Sequence, residues 1–498
     1  MGPKPQRNGF AAEETTLPRS GRTRASRSRA ALKNGLFLFA AAVSLASCAS
    51  MKTSQSQYDE SVPLAREGAY RPAAEIIRNS KGEAYKEKDR VLYYLDLGML
   101  LHWSGDYEES NEMLSKAELA IEELYTKSIS KGAASWGLND NALDYSGEDY
   151  EDIYLNVFKA LNYIAMGDDE SAHVEIRRVQ IKLDILEDKY KDLIDEYNAS
   201  DEAEGELVYR ENRFHNDVLA RYLSLLLYRA EGSYDDARID SEAMHEAWVS
   251  QSQIYNFEKP ELPAPVPPDD GSVLVNIVSF SGLSPVKLAD TIYVTTTPGV
   301  VWLAITGQSD DYVTEVVGFN FLVVPGVDGG FHFKIQFPRL ESRRSEADRI
   351  VVKFDGSEVA EVVLLEKMEL VARETFLLKR PLTIGKTIIR ATLKNIAKEA
   401  GKDAMQEGLN DQGAGGFLLG LLAGVAADVA VDATENADLR ISQFFPSYAK
   451  TAEVAVPPGT YRVEVEYWDG KSLMETVDHG ERTFSADGLN LIESYMLR

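Results

Sequence analysis

The side chains that most often carry enzyme chemistry are sparse and irregularly spaced in this sequence. The six histidines, His102, His173, His215, His245, His332 and His479, are scattered. No two have the spacing that brings imidazoles to one metal ion, and there is no His-Glu-x-x-His segment. A single cysteine, Cys48, excludes an internal disulfide framework, a cysteine zinc cluster and an iron–sulfur site. Ser128-Ile129-Ser130-Lys131 and Ser284-Pro285-Val286-Lys287 have the Ser-x-x-Lys arrangement in which a lysine helps deprotonate a serine, but neither is accompanied by Lys-Thr-Gly. No Gly-x-Ser-x-Gly elbow and no phosphate-binding P-loop is present. The many acidic residues leave carboxylate-pair hydrolysis open without a spacing that selects a pair. No catalytic residue, metal or cofactor is therefore expected.

Cys48 has a chemistry of its own. Arg19, Arg22, Arg24, Arg27, Arg29 and Lys33 precede the apolar run Leu36 to Val43, the layout of a secretory signal and too short to span a bilayer. The run ends in Leu45-Ala46-Ser47-Cys48, which resembles the lipobox of bacterial lipoproteins. The resemblance implies cleavage of residues 1–47, a diacylglycerol on the Cys48 sulfur and an acylated new N-terminus. Several chains anchor stably where one is marginal. Ala49, and not Asp, follows the cysteine, which by likeness to Gram-negative lipoprotein sorting implies the outer membrane, with residues 48–57 as a tether.

The 498 residues predict two to four domains. A net charge of −27, from 80 acidic and 53 basic residues, argues against a general nucleic-acid binder, which needs a basic footprint. Loss of residues 1–47 removes eight basic and two acidic residues and makes the mature chain more acidic still.

Residues 58–258 read as helical, with long apolar-periodic stretches and few prolines. Tyr94, Leu97, Gly98, Leu101, Gly105, Tyr107, Ser110, Leu114 and Ala117 follow the spacing of a tetratricopeptide repeat. In that pattern a small residue such as Gly98 lets two antiparallel helices approach, and Gly105 ends the first of them. Related turns recur at Gly68, Gly167 and Gly232, at intervals of 37, 62 and 65 residues. These exceed the usual 34 and predict an irregular solenoid with insertions. One insertion, Lys127 to Tyr150, is expected to be a loop. Another lengthens a helix whose stripe Val179, Leu183, Leu186, Tyr190, Leu193 and Tyr197 is read as intramolecular packing. The resemblance places Leu95, Met99, His102 and Trp103 on the groove face of the clearest repeat, and Tyr222 and Arg229 on that of the last.

The proline-rich segment 259–270 is the expected domain boundary. Beyond it, residues 271–380 show β-branched and alternating runs bounded by Gly, Pro and Asp, the pattern of a sandwich or barrel. Residues 385–436 read as a helical hairpin. One helix carries a basic stripe at Lys386, Arg390, Lys394, Lys398 and Lys402, and the other carries a glycine zipper at Gly416, Gly420 and Gly424, with Asp428, Asp432 and Glu435 continuing one face. Its apolar part is shorter than the roughly 20 residues a span needs. Residues 440–498 return to strands with Pro-Gly and Asp-Gly turns, either completing the first β-domain or forming a second.

Gly271-x-Val273-x-Val275, Gly282-x-x-Pro285-x-Lys287, Phe337-Pro338, Ala437-Asp438-Leu439-Arg440 and Pro457-Pro458-Gly459-Thr460-Tyr461, with the lipobox and the helical half, resemble a poorly characterised family of bacterial envelope lipoproteins. The fold class that follows is multidomain, α then β: an irregular TPR-like solenoid, then a β-sandwich-like region with an inserted helical hairpin. The expected function is a noncatalytic, lipid-anchored adaptor facing the periplasm, binding an envelope protein through the helical groove and the membrane through Cys48, without nucleic acid. Two alternatives stand beside it: a glycan or peptidoglycan hydrolase, and an oligomeric component of an export or surface-assembly system.

Overall fold

A computed structural model describes residues 55–131, 141, 143–199, 209–308, 314–323, 332–385, 387 and 437–498. Cys48, the basic stripe from Lys386 to Lys402, the glycine zipper at Gly416, Gly420 and Gly424 and the acidic face at Asp428, Asp432 and Glu435 lie outside the described residues.

The first half consists of helices α1 (Gln57–Arg66), α2 (Tyr70–Asn79), α3 (Arg90–Trp103), α4 (Tyr107–Lys131), α5 (Asp149–Ala165), α6 (Asp169–Ala199), α7 (Val218–Ala230) and α8 (Tyr234–Ser250). They form four hairpins, and each helix also packs on its neighbours in sequence. The hairpin turns share one hydrogen-bond pattern. Gly68, Gly105, Gly167 and Gly232 sit at φ 75–80°, a conformation that costs glycine least. Their amides reach back to Ala65, His102, Ile164 and Arg229. The following amides of Ala69, Asp106, Asp168 and Ser233 reach Leu64, Leu101, Tyr163 and Tyr228 at 2.8–2.9 Å. This is the Schellman termination, which satisfies the last carbonyls of a helix and turns the chain sharply. Within the second hairpin a Cβ on Gly98 would lie 2.7 Å from Leu114 Cδ2, and Ser110 Oγ donates to Gly98 O at 2.8 Å. The small residue therefore sets the distance between α3 and α4.

The long helix α6 buries Val179, Leu183, Leu186, Tyr190 and Ile194 within the chain's own core. The loop expected at Lys127 to Tyr150 is shorter, because α4 continues to Lys131 and α5 begins at Asp149. Segment 259–270 has no regular structure, yet it is held to the body, with Arg229 donating to Ala264 O at 2.7 Å.

Strands β1 (Val273–Leu283), β2 (Val286–Thr297), β3 (Val300–Gln308), β4 (Thr314–Val323), β5 (His332–Glu341), β6 (Arg349–Phe354), β7 (Ser357–Glu361) and β8 (Val363–Lys367) follow the linker. The β pattern was expected to reach residue 380, but residues 368–385 form a helix, α9. Met368, Val371, Ala372, Thr375, Leu378 and Leu382 are buried on it at helical intervals. Strands β9 (Pro446–Val456), β10 (Gly459–Asp469), β11 (Ser472–Phe484) and β12 (Leu491–Met496) close the chain.

The C-terminal strands complete the first β-domain. The sheets run β12-β1-β9-β8, β11-β10-β6-β7 and β4-β3-β2-β5, antiparallel except for the β1–β12 pair. The first two face each other across a core that includes Val275, Ile277, Ile350, Val352, Val463, Val465 and Tyr467. Strand β1 is buried on both faces. Its odd positions Val273, Val275 and Ile277 enter that core, while Val278 and Phe280 join the core of the helices. Because successive strand residues point to opposite faces, one sheet lies between the helices and the second sheet.

Candidate functional site

The residues assigned to an open groove are inside the molecule. Leu95, Met99, His102 and Tyr222 are 0% exposed, Trp103 1% and Arg229 7%, and His102, Trp103, Tyr222 and Arg229 are met by the chain's own β-half. His102 Nε2 meets Glu493 Oε1 of β12 at 2.8 Å, and its Nδ1 meets Asn162 at 2.7 Å. The Trp103 indole donates to Phe444 O at 2.9 Å, and the Tyr495 hydroxyl donates back to Trp103 O at 2.6 Å. Arg229 binds Glu453 of β9 at 2.5 Å and Asn276 of β1 at 3.1 Å, and Tyr222 lies buried beside Thr451 of β9. The expectation of a groove open to a partner is corrected: helix α3 is apolar on nearly every side, and water-exposed apolar area of that size is costly, so the sheet with two apolar faces covers it.

Segment 437–445 runs through the same interface. Ile441, Phe444 and Phe445 are buried, and the segment's polar groups meet buried carboxyls on the helices. Asp96 Oδ1 accepts from the Ser442 hydroxyl at 2.7 Å, and Oδ2 accepts from Tyr58 and Tyr85, each at 2.6 Å. Burial pushes Asp96 up to about 6, and those hydroxyls pull the other way. Glu151 accepts from Ser442 N at 2.6 Å, from Tyr145 at 2.7 Å and from Glu148 N at 2.8 Å. Burial, then the Glu148 charge, pushes it up to about 7. Glu366 of β8 accepts from Leu219 N and Tyr154. Burial first, then Asp217, raises it well above the usual carboxyl range.

Beside this interface opens a cleft of about 290 Å³ between α4, α6, α9, residues 143–148 and residues 438–440. Three of the quoted sequence motifs converge on it, through Lys287, Phe337-Pro338, Asp438 and Arg440. Lys287 Nζ binds Glu148 at 2.6 Å and Arg440 O at 2.9 Å. Arg440 grips Asp438 through Nε at 2.9 Å and Nη2 at 2.7 Å, reaches Asp89 at 3.0 Å and lies over the Tyr145 ring at 5.3 Å. Burial alone would raise the Asp438 carboxyl, but Arg440 and Lys287 hold it well below the usual range. In the same lining, Lys189 pairs with Asp149 at 2.6 Å and lies against the rings of Tyr125 and Tyr190.

Among the described residues no group of His, Cys, Asp or Glu could hold a metal ion, and no helix is long and apolar enough to cross a membrane. Sequence reading missed Asp96, Glu148, Glu151 and Ser442. The available signal was the capping pair Glu148 and Glu151 at the start of α5. No family model, curated protein or solved structure matches the chain, so geometry alone carries the functional argument.

Proposed function

We propose that this protein is a noncatalytic scaffold of the bacterial outer membrane, anchored through lipidated Cys48 and facing the periplasm, where it presents a preassembled two-part body to an envelope protein partner. The observation that carries this reading is the filled helical face: His102, Trp103 and Arg229 are engaged by β12, residue 444 and β9 of the same chain. A solenoid whose groove is already occupied holds a defined surface rather than waiting for a peptide. The four hairpins with their common glycine turn and the close Gly98–Leu114 approach favour TPR-like units as the helical element. The buried carboxyls with shifted affinity, Asp96, Glu151 and Glu366, are 0% exposed and out of reach of a glycan, which favours a scaffold over a hydrolase. Partner capture then falls to the outer surface, and the tether raises the local encounter rate at the membrane.

In-cell photo-crosslinking tests this. A crosslinker at exposed Ile181 of α6 is expected to trap a defined envelope protein, one at Trp103, which lies against Phe280 and Tyr495, is expected to trap only the chain's own β-half, and Cys48→Ala is expected to release the protein from the membrane fraction and lose the partner. Recovery of only further copies of the chain would replace the scaffold with the oligomeric export component.

A further inference from the structure

We propose that the gap between α6, α7 and α8 binds a free α-amino acid with a short apolar side chain, its ammonium and its carboxylate held by separate groups. The reading goes beyond the scaffold proposal and rests neither on the lipid anchor nor on a protein partner.

The first reason is the set of polar groups that folding leaves without partners in this gap of about 220 Å³. Arg221 is fully engaged there: it donates to Asn216 at 3.0 Å, to Asp240 Oδ1 at 2.9 Å and to Gln180 at 2.6 Å. Asp240 is 3% exposed, yet its second oxygen, Oδ2, accepts no hydrogen bond among the described residues. A buried carboxylate oxygen without a donor is costly, and native folds satisfy nearly all such atoms. Arg177 of α6 spends only its Nε, on His173 O at 3.2 Å, and enters no ion pair among the described residues. Asp236 of α8 and the hydroxyls of Ser224 and Tyr228 on α7 line the same gap and are likewise without partners among the described residues.

The second reason is that the free charges are one of each sign. Arg221 neutralises Asp240, and Asp217 accepts from Ala220 N at 2.7 Å. At the opening that leaves the exposed cation Arg177 and the exposed anion Asp236. Both signs act on one ring: burial first, then the Asp236 and Asp240 charges, push the Tyr228 phenol up, and Arg177 pulls it the other way. A plain amine leaves Arg177 unused, and a plain anion leaves Asp236 and Asp240 Oδ2 unused. A zwitterion satisfies both: its ammonium donates to Asp240 Oδ2 and Asp236, and its carboxylate accepts from Arg177 and the Ser224 hydroxyl. Val179, Leu183, Ala220 and Ile239 supply apolar wall. The volume lies below the roughly 300 Å³ at which drug-sized sites begin, which suits a single amino acid.

The test uses the lipidated full chain in nonionic detergent and involves no partner protein, so its failure leaves the scaffold reading untouched. Isothermal titration with leucine is expected to give saturable one-to-one binding. 3-Methylbutylamine is leucine without its carboxylate, and 4-methylpentanoate is leucine without its ammonium; each is expected to bind at least about tenfold more weakly, as when one charge-assisted hydrogen bond is lost. Glycyl-leucine, whose two charges sit on different residues, is expected not to bind, which separates a free amino acid from a peptide end. Arg177→Gln and Asp236→Asn change exposed side chains and should leave the melting temperature unchanged. The first should abolish the preference for leucine over 3-methylbutylamine, and the second should reduce that over 4-methylpentanoate. Absence of saturable leucine binding overturns the proposal, as does equal binding of either truncated analogue or of glycyl-leucine, or a preference indifferent to both substitutions.

Discussion

His102 on α3 and Glu493 on β12 are 391 positions apart in the chain and meet at 2.8 Å inside the protein. His102 is fully buried, and its other ring nitrogen is occupied by Asn162, so Glu493 is the hydrogen-bond partner that the β-half supplies to it. Removing one partner of a buried polar pair costs more than the pair itself contributes. Glu493→Ala is therefore expected to lower unfolding stability by about 1–3 kcal/mol, and Glu493→Gln, which retains an acceptor, by less. Denaturant titration of the two variants measures the difference.

Arg229 ties three elements together: the last hairpin, the proline-rich linker at Ala264 and the sheet at Glu453 and Asn276. Arg229→Ala leaves Glu453 without this cation and frees the linker. Stability should fall by about 3–5 kcal/mol, as when one member of a buried ion pair is lost. Limited proteolysis within 259–270 should also be faster than in the parent chain, where Arg229 holds Ala264.

Glu151 and Asp96 give the interface a pH dependence. Their folded affinities for protons are raised, to about 7 and about 6, so the folded state holds more protons than the unfolded chain above about pH 4. Their stabilisation is complete below that pH and is lost as pH rises through 6 and 7. Glu118 acts in the opposite sense. Burial would raise it, but Lys182 and Lys159 lower it to about 2, and its contribution is lost as pH falls from about 4 toward 2. The melting temperature should therefore peak in mildly acidic buffer. Glu151→Gln should flatten the decline between pH 5 and 7, by up to about 3 kcal/mol.

Gly98 marks a close approach of two helices. A Cβ there would lie 2.7 Å from Leu114 Cδ2 and 3.3 Å from Leu114 N, so Gly98→Val should cost about 1–3 kcal/mol by overpacking. If side-chain crowding dominates, Leu114→Ala in the same chain should recover part of that loss. A double-mutant cycle of thermal melts reads the coupling.

A chain truncated after Phe257 should not behave as a free solenoid. Without the β-half, Trp103 and Tyr222, both buried in the whole chain, lose the cover of Phe280, Phe444 and Thr451 and face water. The fragment should bind anilinonaphthalene sulfonate and lack a cooperative transition, the behaviour of a state that has lost its packing.

What the sequence determined by itself was local. The four glycine turns depend on contacts within about six residues, so Gly68, Gly105, Gly167 and Gly232 announced their hairpins at irregular intervals. Asp469-Gly470 likewise announced the turn between β10 and β11, and alternation in Val273, Val275 and Ile277 announced a buried strand. The start of α9 was lost among strands because β8 leads into it without an interruption. Only the tertiary structure decided what lies against the helices. A row such as Met99, His102 and Trp103 reads the same whether its cover is another protein or the chain's own β-half, because burial depends on a complementary surface hundreds of residues away. For the same reason Lys287, Phe337, Asp438 and Arg440 stood as separate motifs until folding brought them to one cleft. Their joint field and shape are properties of proximity in space, which no local periodicity encodes.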